Sequence, residues 1–174
     1  TIEKNILRSI EFSGKTRRIP IGLALASAEE VVKIMRDCKS VQRLGIAGST
    51  RRMQETIGDI DILATSKNPD EVVEFFASMP SVAHVLAKGP TKSSVRLREG
   101  IQVDLRVLDD KIFGAALLYF TGNKEHNIIL RRSAIERGLK LSEYGLFDKS
   151  NRLITGKTEE EIYKRLGMDY IEPE

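Results

Sequence analysis

One cysteine, two histidines and no apolar run near the roughly 18 residues of a membrane-spanning helix are the first marks of this chain. Each shortage closes a class. Cys38 alone builds neither a disulfide framework nor a thiolate metal site, and its isolation predicts a reducing compartment. His84 and His126 are too few for a histidine metal cluster and are expected to be structural or surface residues. The N-terminus lacks a signal-peptide layout, so a cytoplasmic protein with no membrane partner is expected. Internal repeats and low-complexity stretches are missing too. The chain opens on Thr1 rather than Met, which leads us to expect a piece of a longer protein.

Charge is what the chain has in quantity. Of 174 residues 30% are charged and 41% hydrophobic, enough for one core or two small subdomains. The net charge of +3 leans toward an anionic partner, and its distribution says more than its sum. Eleven basic residues, among them Arg18, Arg51 and Arg52, precede Gln54 against five acids. A second basic group, Arg131, Arg132, Arg137 and Lys140, lies downstream.

Periodicity predicts the elements. Helical spacing covers residues 2–12, and a basic loop with Gly14 and Pro20 follows. An amphipathic helix over 24–38 packs through Leu25, Val31, Ile34 and Met35. A short strand over 41–47 feeds the Gly48-Ser49 turn and a short basic helix. Strands are predicted over 58–65, 82–87, 94–98 and 101–108, with a helix opened by Pro69-Asp70 between the first two. After residue 109 the pattern turns mostly helical: 111–120, 124–137 and 158–166, with a hairpin around 148–151. A mixed sheet with helices on one side, then a smaller, mainly helical part, makes the fold α+β.

The chemistry lies in three aspartates. Alternation in a strand puts Asp59 and Asp61 on one face and Ile60 and Ile62 on the other. The same rule buries Val103, Leu105 and Val107 and turns Gln102, Asp104 and Arg106 outward. If the two strands are neighbours, three carboxylates converge, and a divalent cation such as Mg2+ is the simplest relief for that repulsion. Upstream, Gly48 lets the backbone approach a ligand closely, and the turn that follows offers N–H groups to phosphate.

Gly-Ser, a short spacer, Asp-x-Asp and a distant third acid resemble the nucleotidyltransferase fold. Longer stretches narrow the resemblance: Gly48-Ser49-Thr50-Arg51-Arg52, Gly58-Asp59-Ile60-Asp61, Val103-Asp104-Leu105-Arg106, Tyr119-Phe120-Thr121-Gly122, Asn127, Arg131 and Glu143-Tyr144. Together they are similar to the palm and thumb of family X DNA polymerases, the polymerase beta relatives, and most to the prokaryotic branch. The likeness begins near Arg18-Ile19-Pro20 and runs to the C-terminus.

That resemblance implies a nucleotidyltransferase-type palm over 21–108, a thumb over 109–174, and the tail of a missing fingers region over 1–20. It implies two ions per site, Mg2+ or in its place Mn2+, held by Asp59, Asp61 and Asp104. Asp104 would accept the proton of a primer 3′-hydroxyl. Arg18, Gly48, Ser49, Arg52 and Gly58 would hold the triphosphate of a dNTP, with Tyr119, Phe120, Gly122 and Asn127 against its sugar and base. Arg106, Lys124, Arg131 and Tyr144 would face a DNA primer-template or gapped DNA. Lys124 stands where the animal branch has an acid that contacts the base, so its ammonium is assigned to a phosphate instead. Family members also carry lyase-like and helix-hairpin-helix modules, and many prokaryotic ones a histidine-rich phosphoesterase domain that two histidines do not supply. A monomeric core with weak, salt-dependent DNA affinity is therefore expected, acting in gap-filling repair. Two rival readings stand beside it: a template-independent nucleotidyltransferase with a non-DNA acceptor, and a non-catalytic DNA-binding scaffold.

Overall fold

The computed structural model describes residues 18–173, so the helix expected over 2–12 and the Gly14 loop lie outside the described residues. The chain enters through β1 (Ile19–Pro20) into helix α1 (Ile21–Met35), with Pro20 at the N-cap. Ala24, Ala28, Val31 and Met35 form the helix's buried stripe. Strand β2 (Arg43–Ile46) leads to the one-turn helix α2 (Gly48–Arg51). The two-residue β3 (Thr56–Ile57) pairs antiparallel with β1, and β4 (Ile60–Thr65) follows. Helix α3 (Pro69–Ala77) has Pro at its start and Asp70 and Glu71 in its first turn, where the positive end of the helix favours them.

Strands β5 (Val82–Lys88), β6 (Lys92–Leu97) and β7 (Gln102–Leu108) complete a five-stranded sheet in the order β2-β4-β7-β6-β5. Only β4 and β7 are parallel neighbours; the other pairs are antiparallel. Along β7, residues 103, 105 and 107 are buried while 102, 104, 106 and 108 are partly exposed, the alternation of a strand with one covered face. That face carries Ile60, Ile62, Ala64, Val95, Val103, Leu105 and Val107 and packs against α1 and α3. The sheet thus has its two helices on one side, as the sequence pattern implies.

A single 3-10 turn, Asp110–Ile112, starts the second part, followed by helix α4 (Phe113–Thr121) and helix α5 (Lys124–Glu136). Three short antiparallel strands, β8 (Lys140–Ser142), β9 (Gly145–Phe147) and β10 (Leu153–Thr155), and helix α6 (Glu159–Arg165) complete it. This part has its own core of Ala115, Leu118, Leu130, Ala134, Leu146, Ile162, Tyr163 and Leu166. Helix α4 joins the two parts. Its Phe113 and Ala116 meet Ala47 and Leu63, on the sheet face opposite α1 and α3, and the Arg43 guanidinium lies 4.1 Å from the Phe113 ring centroid. Gly114 sits so close to Thr158 that a Cβ would run into that residue's backbone. The acid-bearing end of the open sheet face is left bare beside α4, and there the site forms.

Candidate active site

In the parallel β4–β7 register Asp61 stands directly beside Asp104, as Ile60 stands beside Val103 and Ile62 beside Leu105. Both carboxylates leave the face opposite the core. Asp59 precedes β4 by one residue and is exposed at its end. The three groups act on one another electrostatically. Burial, then the charges of Asp59 and Asp104, pushes the Asp61 carboxyl up to about 6, against the smaller opposing pull of Arg106 and Lys92. Asp59 is raised as well, first by burial and then by Asp104, with a backbone hydrogen bond and Arg18 opposing. Asp104 has two near partners: Gln102 Nε2 donates to its Oδ1 at 3.0 Å, and Lys92 Nζ is 4.0 Å from its Oδ2.

Gly48 is held at φ +63°, and a Cβ on it would overlap Asp61 Oδ2. Glycine therefore serves twice: it takes a conformation that L side chains resist, and it leaves the carboxylate its place. The Ala47 N–H donates to Asp61 O at 2.9 Å and pins the turn to β4. Across from the acids the Arg52 guanidinium donates to Thr121 O at the end of α4. Gly122, with φ +71°, leaves space beside Arg52, and its peptide bond to Asn123 is cis. Tyr119 and Phe120 meet edge-to-face at 5.1 Å, and the Arg106 guanidinium lies 4.3 Å from the Phe120 centroid. Asn127 Nδ2 donates to Tyr119 O at 2.8 Å, and Arg131 Nε donates to Asn127 O at 3.3 Å.

These groups enclose an open cleft of about 530 Å3 lined by Gly48, Ser49, Arg52, Asp59, Asp61, Tyr119, Phe120, Gly122, Lys124, Asn127 and Arg131, with Thr121 and Asn123. Eleven residues named from the sequence thus meet at one place. Others stand apart from its lining. Arg18 is tied to Thr56 through a 2.8 Å bond from Nε to Oγ1, near Gly58 and within electrostatic reach of Asp59. Asp104 and Arg106 stand on the neighbouring strand, and Tyr144 is exposed at the β8–β9 turn. Sequence reasoning turned Gln102 to the acid face without giving it a role and passed over Lys92, the first residue of β6. It named Arg51 within the motif but gave it no partner; Arg51 donates to both Glu159 carboxylate oxygens at 2.8 and 2.6 Å, to Thr121 Oγ1 at 2.8 Å and to Tyr170 Oη at 3.3 Å.

Among the described residues no three acidic, histidine or cysteine side chains close into a ready metal cage. The donor set at β4 and β7 is all carboxylate oxygen, and its ionisation is opposed by burial and mutual repulsion. Such a set suits a hard divalent cation, which would relieve the repulsion that Lys92 and Arg106 only partly offset.

Comparison with known proteins bears on the fold and the kinship of the chain. The family described as DNA polymerase beta thumb matches residues 116–174. The DNA polymerase/3′-5′ exonuclease PolX of Bacillus subtilis is 36% identical over 176 residues, covering 99% of this chain and 31% of that protein. The DNA nucleotidylexotransferase of Homo sapiens is 40% identical over 77 residues, 43% of this chain and 15% of its own length. This chain therefore spans about a third or less of these relatives. A crystal structure of Leishmania infantum polymerase beta in a ternary P/T complex superposes with a TM-score of 0.76 at 23% identity, covering 94% of this chain and 77% of that one. With its α+β fold and a kinship that runs along 99% of this chain but 31% of PolX, the chain belongs to the family X DNA polymerases, the polymerase beta-like nucleotidyltransferases.

Proposed function

We propose that this chain is the catalytic core of a DNA-directed DNA polymerase that transfers a deoxynucleotide from dNTP to a primer 3′-hydroxyl during gap-filling repair in the cytoplasm. In this reading residues 21–108 are the palm, 109–174 the thumb, and the core works as a monomer. The observation that carries it is the alignment of Asp61 beside Asp104 on parallel strands, at a cleft walled on its other side by Tyr119–Gly122 and α5.

In this reading each residue has a role that its position supports. Asp59, Asp61 and Asp104 would hold two Mg2+ ions, or Mn2+ in their place. When bound, such a pair stabilises charge on the attacking and leaving oxygens of an in-line phosphoryl transfer. Asp104 Oδ1 and Oδ2 are the acceptors for the primer hydroxyl proton. Ser49 and Arg52 at the cleft, with Gly58 and Arg18 beside Asp59, hold the triphosphate; guanidinium groups suit it because they stay charged and present forked donors. Tyr119, Phe120 and the backbone at Gly122 bear on the sugar. Asn127 and Arg131, four residues apart on α5, reach toward minor-groove acceptors, whose degenerate pattern lets them test pair geometry without reading sequence. Lys124 and Tyr144 face the DNA backbone, and Arg106 steers Asp104.

Primer extension with the wild type and Asp104→Ala tests this directly, and equal rates in the two would end the assignment. The 77-residue match to DNA nucleotidylexotransferases favours one other reading, untemplated addition to an end. Templates of known sequence separate the two: incorporation restricted to the complementary base supports the polymerase, and indifference to the template supports the transferase.

A further inference from the structure

The hydrogen bond between His126 and Tyr163 belongs to none of the roles assigned above. His126 Nε2 and Tyr163 Oη are 2.7 Å apart, with the rings stacked at 6.2 Å and 27°. Tyr163 is 4% exposed and meets Tyr170 edge-on at 5.5 Å. The Tyr170 hydroxyl donates to Glu159 Oε2 at 3.3 Å, and Glu159 is the carboxylate gripped by Arg51. Arg51 lies two residues past Ser49 in the same one-turn helix. An unbroken series of polar and ring contacts therefore connects the phosphate turn of the palm to the first turn of α5. Lys124, Asn127 and Arg131 all project from that helix.

Two observations set His126 apart from packing residues. Its ring lines a cavity of about 350 Å3 behind the Thr121–Asn123 turn, so close packing does not fix its direction from all sides. Its backbone N–H is held by Asn123 Oδ1 at 2.9 Å, which makes residue 126 part of the helix cap itself. A hydrogen bond to a buried phenol is directional where apolar contact is not. Burial also raises the pKa of the Tyr163 phenol, with Glu159 adding to the effect, so the phenol stays protonated and can donate to the imidazole.

We propose that His126 is a positioning residue: through Tyr163 it sets the angle of α5 and so the reach of Asn127 and Arg131 across the cleft from Asp61. Its kinetic consequence rests on the polymerase reading; its structural consequence does not. The test uses His126→Phe, Tyr163→Phe and the double variant of the full chain. Each single change should raise KM for the correct dNTP about five- to tenfold, the scale of one hydrogen bond, with kcat nearly unchanged. The double should be no worse than either single, because both remove one interaction. Amide hydrogen exchange over residues 121–128 should accelerate in each single variant, with β4 and β7 unaffected. The cavity should admit imidazole, so added imidazole should restore KM in His126→Ala. Wild-type exchange and KM in the single variants, or losses that multiply in the double, would overturn the proposal. If exchange responds as described while the wild type extends no primer, the polymerase reading fails and the positioning role stands.

Discussion

Asp59, Asp61 and Asp104 crowd one end of the palm sheet with Lys92 and Arg106 as partial relief, whereas Glu159 behind the thumb is met by Arg51 with two matched hydrogen bonds. Both regions place charge out of bulk water. In the second each charged group has its partner, and what results is a joint between palm and thumb. In the first the partners fall short and the carboxyl pKa values rise, which is the condition in which an added cation is most welcome. Charge that is balanced within the fold holds a structure together, and charge left unbalanced at a cleft is available to a ligand.

The largest effect should come from unbalancing the joint. Glu159→Ala leaves a half-buried guanidinium without its carboxylate and should cost about 3–5 kcal/mol, read as a lower urea midpoint. Next comes the opposite operation at the acids. Asp61→Asn should reduce nucleotide transfer by about 100- to 1,000-fold, the scale of losing one preorganised electrostatic contact, while leaving the fold intact by circular dichroism. Gly48→Ala should fall between the two regions in kind. Its strained φ costs about 1–2 kcal/mol, and its methyl group displaces the Asp61 carboxylate, so activity should drop more than stability does.

A smaller effect sharpens the contrast through pH. The Asp61 carboxyl is raised to about 6 in the folded protein from an ordinary 3.8, so its ionisation opposes folding. In metal-free buffer its penalty is full above about 6 and fades as pH falls toward 3.8. Asp61→Asn should therefore melt a few degrees higher than wild type at pH 7.5, since about 1 kcal/mol moves Tm by about 2–4 °C at this size, and the difference should vanish near pH 4. Smallest of all, Phe120→Leu removes the ring beneath Arg106 and should cost about 0.5–2 kcal/mol in thermal unfolding.

Much of the palm could be read in advance because its signals are local. The alternation from Ile101 to Leu108 gave the buried face of β7, and Asp-Ile-Asp gave that of β4, so the bare face followed once the strands were neighbours. Asp59, expected inside a strand over 58–65, falls one residue before β4, and α1 starts at Ile21 rather than Ala24 because Pro20 caps it. The pairing of Ile19–Pro20 with Thr56–Ile57 escaped, since two residues carry no period, and so did Lys140–Ser142. What sequence could not supply was the joint. Arg51 and Glu159 are separated by 108 positions and meet only because α4 lies across the sheet and carries α6 against it. The partner of His126, a residue expected to be structural or at the surface, escaped for the same reason: the Tyr163 phenol lies 37 positions away.

The parallel pairing of β4 with β7 has a consequence for how this chain tolerates length change. Losing or gaining one residue within 103–107 would turn the third acid toward Ile62 and the helices while leaving the other two in place. The same edit at the Glu99-Gly100 turn, where Gly100 has open space around it, would be absorbed by the hairpin. Indels in homologues should accordingly cluster at that turn and spare the five residues after Gln102.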